Sequence, residues 1–237
     1  MAKISLLSRH NIFISHENAN LDAHWDWLDI NYWRDRDGIS GQSTGRSTTY
    51  LISDPQGEYV LRHYYRGGAI RHISKDYYCY CGLEKTRIYA EFTLLEQLKA
   101  WNLPAPAPIA GRIIREGLVY KADLLMAKIP NAMDVFQQLI KRPLSDTIWQ
   151  TIGATIAQFH QRGVYHADLN CHNLMLDNHH KIWLIDFDRA KIKPIHTRWT
   201  TQNLERLYRS LIKEKNKNPT FYFEDNNWAQ LLLGYNR

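Results

Sequence analysis

The chain has 237 residues, a net charge of +6 and three cysteines, with an isoelectric point near 9.1. The length suffices for an ordinary core, the basic balance suits anionic partners, and three cysteines make neither a disulfide framework nor a zinc site of recognisable spacing. No run of 18 apolar residues exists, which excludes a membrane-spanning helix, and the polar stretches in Lys3 to Asn20 lack the apolar core of a signal peptide, so a cytoplasmic protein is expected.

In chain order, Trp25, Trp27, Tyr32 and Trp33 form an aromatic group that suits either packing against a β-rich lobe or anchoring at a lipid headgroup layer. Gly41 to Ile52, which includes Gly45 and Arg46, reads as a small-residue loop entering a strand. Such a loop lets backbone amides approach phosphate; with no Gly-x-Gly-x-x-Gly present, an ordinary hairpin turn fits the same residues. Asp54-Pro55-Gln56-Gly57 is a turn, and Glu58 to Tyr64 is the next strand. Ile88, Phe92, Leu95 and Leu98 give Thr86 to Ala100 a helical stripe. Pro104, Pro106 and Pro108 end that helix and begin an extended segment. Val119 to Ile129 supplies another strand, and Pro130 to Met133 a linker.

Thr151 to Arg162 reads as an amphipathic helix closed by Gly163. Leu174 to Leu176 and Ile182 to Ile185 are short strands about a polar turn, Asp177 to His180. Leu204 to Arg237 should be helical in two pieces broken near Pro219, with Trp228, Leu231, Leu232 and Leu233 completing the core.

Two loops in this second half carry the chemistry. His166-Ala167-Asp168-Leu169-Asn170-Cys171-His172-Asn173 has the spacing His-x-Asp-Leu-x-x-x-Asn, and Leu184-Ile185-Asp186-Phe187-Asp188 follows at the end of an apolar strand. Phosphoryl transfer needs charge neutralisation and in-line positioning more than covalent help. Asn173 and Asp186 offer the hard oxygens that Mg²⁺ prefers, which leaves Asp168 to accept the proton of the attacking hydroxyl. A lone His-x-Asp would be an ordinary structural loop; the spaced Asn, the strand pair and the second Asp lift it above that. His166 reads as a loop organiser, and His172 as a surface residue.

A kinase also needs a nucleotide-covering lobe. Arg62 stands where a kinase strand carries its phosphate-binding Lys, either as a phosphate clamp or as a plain strand-surface residue. Glu91 is its expected ion-pair partner on the following helix, with Glu96 as the alternative. The whole reads as an α+β, two-lobed protein-kinase-like fold with a small β-rich N-lobe (1–129, including an N-terminal extension) and a reduced helical C-lobe (130–237). Only residues 187 to 237 follow Asp186, and no Ala-Pro-Glu occurs among them. The peptide-docking platform of a protein kinase is therefore expected to be absent, which favours a non-peptide acceptor.

Tyr64-Tyr65-Arg66-Gly67-Gly68, Tyr120 to Leu125, Gly163 to Asn170 and Trp183 to Arg189 resemble the bacterial 3-deoxy-D-manno-octulosonic acid (Kdo) kinases from about Trp33 to about Leu211. The resemblance accounts for Asp188 in place of the usual glycine. It implies ATP- and Mg²⁺-dependent phosphorylation of the 4-hydroxyl of Kdo on a lipid A precursor, in inner-core lipopolysaccharide synthesis of a Gram-negative bacterium. It implies Asp168 as base, Asn173 and Asp186 as metal ligands, and peripheral docking on the cytoplasmic face of the inner membrane. The family's Gly-Arg-Gly loop becomes Gly45-Arg46-Ser47 here. No nucleic-acid recognition motif is present. The competing readings are another small-molecule phosphotransferase, of the aminoglycoside-kinase kind, and a non-catalytic kinase-like module. Loss of Asp168, Asn173 or Asp186 would mark the latter, and all three are present.

Overall fold

The structure, a computed structural model, describes residues 2–8, 10–16, 24–44, 48–65 and 76–237. The chain divides into two compact units, residues 1–97 with 106–128, and residues 98–105 with 129–237.

The first unit is built on one antiparallel sheet. Its strands are β1 (Ala2–Leu6), β2 (Asn11–His16), β3 (Ile39–Thr44), β4 (Thr48–Asp54), β5 (Gly57–His63), β6 (Tyr78–Cys79), β7 (Pro108–Glu116) and β8 (Val119–Ala127). They run in the order β1-β2-β7-β8-β5-β4-β3, with β6 on β8. Alternation decides what each face of the sheet meets. Tyr59 and Leu61 of β5 and Leu125 of β8 join Phe13, Ile52 and Ala110 in a core with Trp27, Leu28 and Trp33. Trp27 and Trp33 are 3% and 1% exposed, and the Trp33 indole N–H donates to the Trp27 carbonyl at 2.7 Å. These two rings therefore belong to the interior, and the headgroup-anchor reading fails for them. Helix α2 (Arg87–Ala100) buries Ile88, Phe92 and Leu95. Gly111 of β7 is where Ile88 seats, since a Cβ there would lie 3.1 Å from its Cδ1.

Gly41 does not lie in a loop. It is part of β3, paired with Leu51 just past a register shift. Residues 45–47 lie outside the described residues, and the readings for Gly45 and Arg46 with them. Cys79 ends β6 and Cys81 lies beyond it, both exposed.

The second unit is mainly helical. It contains β9 (Met133–Asp134), α3 (Val135–Lys141), α4 (Asp146–Gln161), β10 (Val164–Tyr165), β11 (Leu174–Leu176), β12 (Ile182–Leu184), β13 (Lys191–Ile192), α5 (Thr197–Lys217) and α6 (Asp225–Tyr235). Helix α4 begins before Thr151 because the Ser145 hydroxyl caps the Ile148 amide. Helices α4 and α6 cross at two glycines. A Cβ on Gly153 would stand 1.9 Å from the Leu231 carbonyl oxygen, and one on Gly234 would stand 2.0 Å from that of Gln150. That approach buries Leu231 but leaves Leu233 47% exposed, so only part of the expected apolar tail enters the core.

His160 of α4 is buried, with Nδ1 2.8 Å from the Tyr235 hydroxyl and Nε2 3.4 Å from Asn203 Oδ1. Burial lowers its pKa to about 4. The folded protein thus keeps His160 neutral between pH 6.5 and 4, where the unfolded chain binds a proton, so folding stability falls as pH falls through that window. The expected loss is about 3 kcal/mol. Urea midpoints at pH 7 and pH 4.5 should separate less in His160→Gln than in the wild type; equal separations would assign the acid sensitivity to other groups.

Candidate active site

In the second unit, short strands present the three predicted polar residues from adjacent loops. Gly163 ends α4 with φ of +73°, and a Cβ there would meet the Lys193 carbonyl oxygen at 2.3 Å. Glycine lets the chain turn tightly into β10, which pairs with β13. The loop from His166 to Asn173 follows. The hairpin of β11 and β12 then ends at Asp186, whose φ of +62° lies in the left-handed region, where Asp is among the better tolerated residues.

Four hydrogen bonds close a circuit through these loops. The Asp168 amide donates to His166 Nδ1 at 3.2 Å. His166 Nε2 donates to the Ile185 carbonyl at 3.0 Å. The Ile185 amide donates to the Asn173 carbonyl at 3.0 Å. The Asn173 side-chain amide donates to the Asp168 carbonyl at 2.9 Å. Both imidazole nitrogens are thereby used, one as acceptor and one as donor, which requires the neutral ring. Burial lowers the pKa of His166 and favours that same form. His166 is a loop organiser, and it fixes Asp168 relative to the residue that precedes Asp186.

Helix α5 runs along the outside of the loop and makes contacts at helical spacing. Asn203 accepts from the His166 amide at 3.2 Å and donates to its carbonyl at 3.1 Å. Arg206 donates through Nε, at 2.9 Å, and through Nη2 to Asp168 Oδ1. The Ser210 hydroxyl accepts from the Cys171 amide at 3.1 Å. Glu214 lies 3.7 Å from His172 Nε2. The sequence reading missed this row. Its signal was four polar residues at intervals of three and four, within a segment read only for its apolar members. Cys171 itself is buried, and burial pushes its thiol up to about 11, which keeps it protonated and unreactive.

The donor set suits Mg²⁺. The bond from the Asn173 amide nitrogen to Asp168 leaves Asn173 Oδ1 as the atom that could face a metal, and Asp186 would add a carboxylate. Mg²⁺ takes few protein oxygens and keeps water or phosphate for the remaining positions. No group of three or more His, Cys, Asp and Glu residues that could hold a metal occurs among the described residues.

In the first unit, Arg62 of β5 is ion-paired with Glu91 of α2, which is 3% exposed. The Tyr64 hydroxyl donates to the same Glu91 oxygen at 2.6 Å. Burial and the Glu91 charge raise the Tyr64 pKa well above the ordinary phenol value, so Tyr64 stays a donor. Arg62 is therefore no loose surface residue, and Glu91 rather than Glu96 receives it. Asp123 of β8, within the Tyr120 to Leu125 motif, bonds His63 Nδ1 at 2.7 Å and Arg112 Nε at 2.6 Å.

A β-rich unit with a buried Arg–Glu pair and a helical unit with Asp, Asn and Asp on neighbouring loops define the two-lobed protein-kinase-like class. Within that class the chain belongs to the lipopolysaccharide kinase (Kdo/WaaP) family, whose model matches residues 31–235. It is 43% identical over 187 residues to the 3-deoxy-D-manno-octulosonic acid kinase of Vibrio parahaemolyticus, covering 79% of this chain and 78% of that one. It is 41% identical over 208 residues to the kinase of the same name from Vibrio vulnificus, covering 88% and 87%. It is 37% identical over 233 residues to that of Mannheimia succiniciproducens, covering 95% and 96%.

Proposed function

We propose that this protein transfers the γ-phosphoryl group of ATP to the 4-hydroxyl of Kdo on a Kdo–lipid A precursor, in lipopolysaccharide inner-core synthesis. The observation that carries this reading is the closed hydrogen-bond circuit presenting Asp168, Asn173 and Asp186. The kinship to kinases named for this sugar acid supplies the acceptor.

Asp168 accepts the proton of the acceptor hydroxyl as its oxygen attacks the γ-phosphorus and ADP departs. Asn173 and Asp186 hold Mg²⁺, which when bound neutralises phosphate charge. Arg62, kept extended by Glu91 and Tyr64, lends positive charge to the nucleotide phosphates, and Gly41, Gly45 and Arg46 contribute to nucleotide binding. Among the described residues no helix is long and apolar enough to cross a membrane. A lipid-linked acceptor is then met by peripheral docking at the cytoplasmic face of the inner membrane, to which a net charge of +6 is suited.

The test is incubation of the purified protein with Mg²⁺, labelled ATP and a Kdo–lipid A precursor. Label should enter the lipid. ATP binding without transfer would move the acceptor to another sugar or small molecule. Arg62→Ala should raise the KM for ATP by on the order of tenfold, the size of one charge-assisted contact. An unchanged KM would leave Arg62 a structural partner of Glu91 alone.

A further inference from the structure

We infer that Arg206 is the acceptor's carboxylate-reading residue. The inference rests on the sugar-acid acceptor proposed above and concerns the same site.

The loop from His166 to Asn173 contains no Lys or Arg of its own; the cation beside Asp168 comes instead from α5. Arg206 places two donors, Nε and Nη2, on the single oxygen Oδ1 of Asp168. The pair is not locked away, since the side chains of Arg206 and Asp168 are 49% and 37% exposed. A half-exposed ion pair is weakly held, and a better-matched anion can displace it. Arg206 Nη1 has no hydrogen-bond partner among the described residues.

The acceptor brings such an anion. In Kdo the carboxylate is carried on C2, and the reacting hydroxyl on C4 of the same ring. A hydroxyl seated on Asp168 therefore sets the carboxylate within a few ångströms of Asp168, in the region that the Arg206 guanidinium already reaches. A planar guanidinium matches a carboxylate with two parallel hydrogen bonds. On binding, Arg206 exchanges Asp168 Oδ1 for the acceptor carboxylate. A neutral sugar presenting the same hydroxyl lacks the anion that draws Arg206 away, and is the poorer acceptor for want of that contact.

The test is a two-by-two comparison of kcat/KM. Wild type and Arg206→Gln are each assayed with the Kdo glycolipid and with its C1 carboxamide, and thermal unfolding verifies the fold of the variant. Wild type should lose roughly 10- to 150-fold on the carboxamide, the span of one hydrogen bond to a charged group. Arg206→Gln should lose as much on the natural acceptor and nothing further on the carboxamide, with the KM for ATP unchanged. Losses that multiply overturn the assignment, as does a wild type that uses both acceptors equally well. A raised KM for ATP in the variant, with both acceptors slowed alike, would instead place Arg206 on the transferred phosphoryl group. A wild type that phosphorylates neither glycolipid would remove the Kdo-kinase reading itself, and Arg206 as its carboxylate reader with it.

Discussion

Asp168→Asn is expected to lower kcat on a Kdo glycolipid by about 10²- to 10⁴-fold, the usual worth of a general base. Asn keeps the shape and the backbone amide that bonds His166, so only the proton acceptor is removed. Thermal stability should hardly move. The ion pair with Arg206 that is lost joins two side chains that are 49% and 37% exposed, and such pairs contribute about 0–1 kcal/mol. Asp186→Ala should lower turnover at least as far, for the different reason that the residue proposed to hold Mg²⁺ is gone, and its residual rate should need more Mg²⁺ where that of Asp168→Asn does not. Steady-state kinetics across a Mg²⁺ series distinguish the two. Turnover within threefold of wild type in folded Asp168→Asn would falsify the base assignment.

The second large effect lies in the helical core. Gly153→Ala should destabilise by roughly 3 kcal/mol or more, because the new methyl must displace a backbone carbonyl rather than a side chain. For a chain of this size that is a fall of about 10 °C in Tm. Gly234→Ala attacks the same crossing from the other helix. Once α4 and α6 have been forced apart by one methyl, the second finds room, so the double variant should lose less than the sum of the singles. Calorimetry of the three variants measures both points; a Tm drop under 2 °C in either single variant would mean that the helices do not cross this closely.

The two loops proposed to carry the chemistry could be picked out because their polar residues are local in sequence. Asp168 and Asn173 lie five positions apart, and Asp186 ends a strand whose hairpin partner begins just after Asn173. The Arg62–Glu91 pair was also readable, since a strand followed by an apolar-striped helix leaves few acidic partners. What escaped was set by distant packing. Arg206 touches Asp168 from 38 positions away, and in sequence it is one more cation on a charged helix. The Trp25 to Trp33 group has the composition of an interfacial belt, and only the sheet beneath it shows that two of its rings are core. The hairpin of β1 and β2 went unread because its residues were weighed as a leader segment rather than for alternation. Gly41 was assigned to a loop because glycine signals a turn more often than a strand; the register shift beside it in β3 is what a single sequence does not display.

During synthesis the His166 to Asn173 loop leaves the ribosome before the helix that holds it. Asn203, Arg206, Ser210 and Glu214 are made some 30 to 40 residues later, a few seconds at ordinary elongation rates, and α6, which closes the α4 crossing, comes later still. A nascent chain that already contains Asp168, Asn173 and Asp186 therefore lacks the helix whose side chains hold their loop. Translation order would delay the proposed activity until the last two helices have docked.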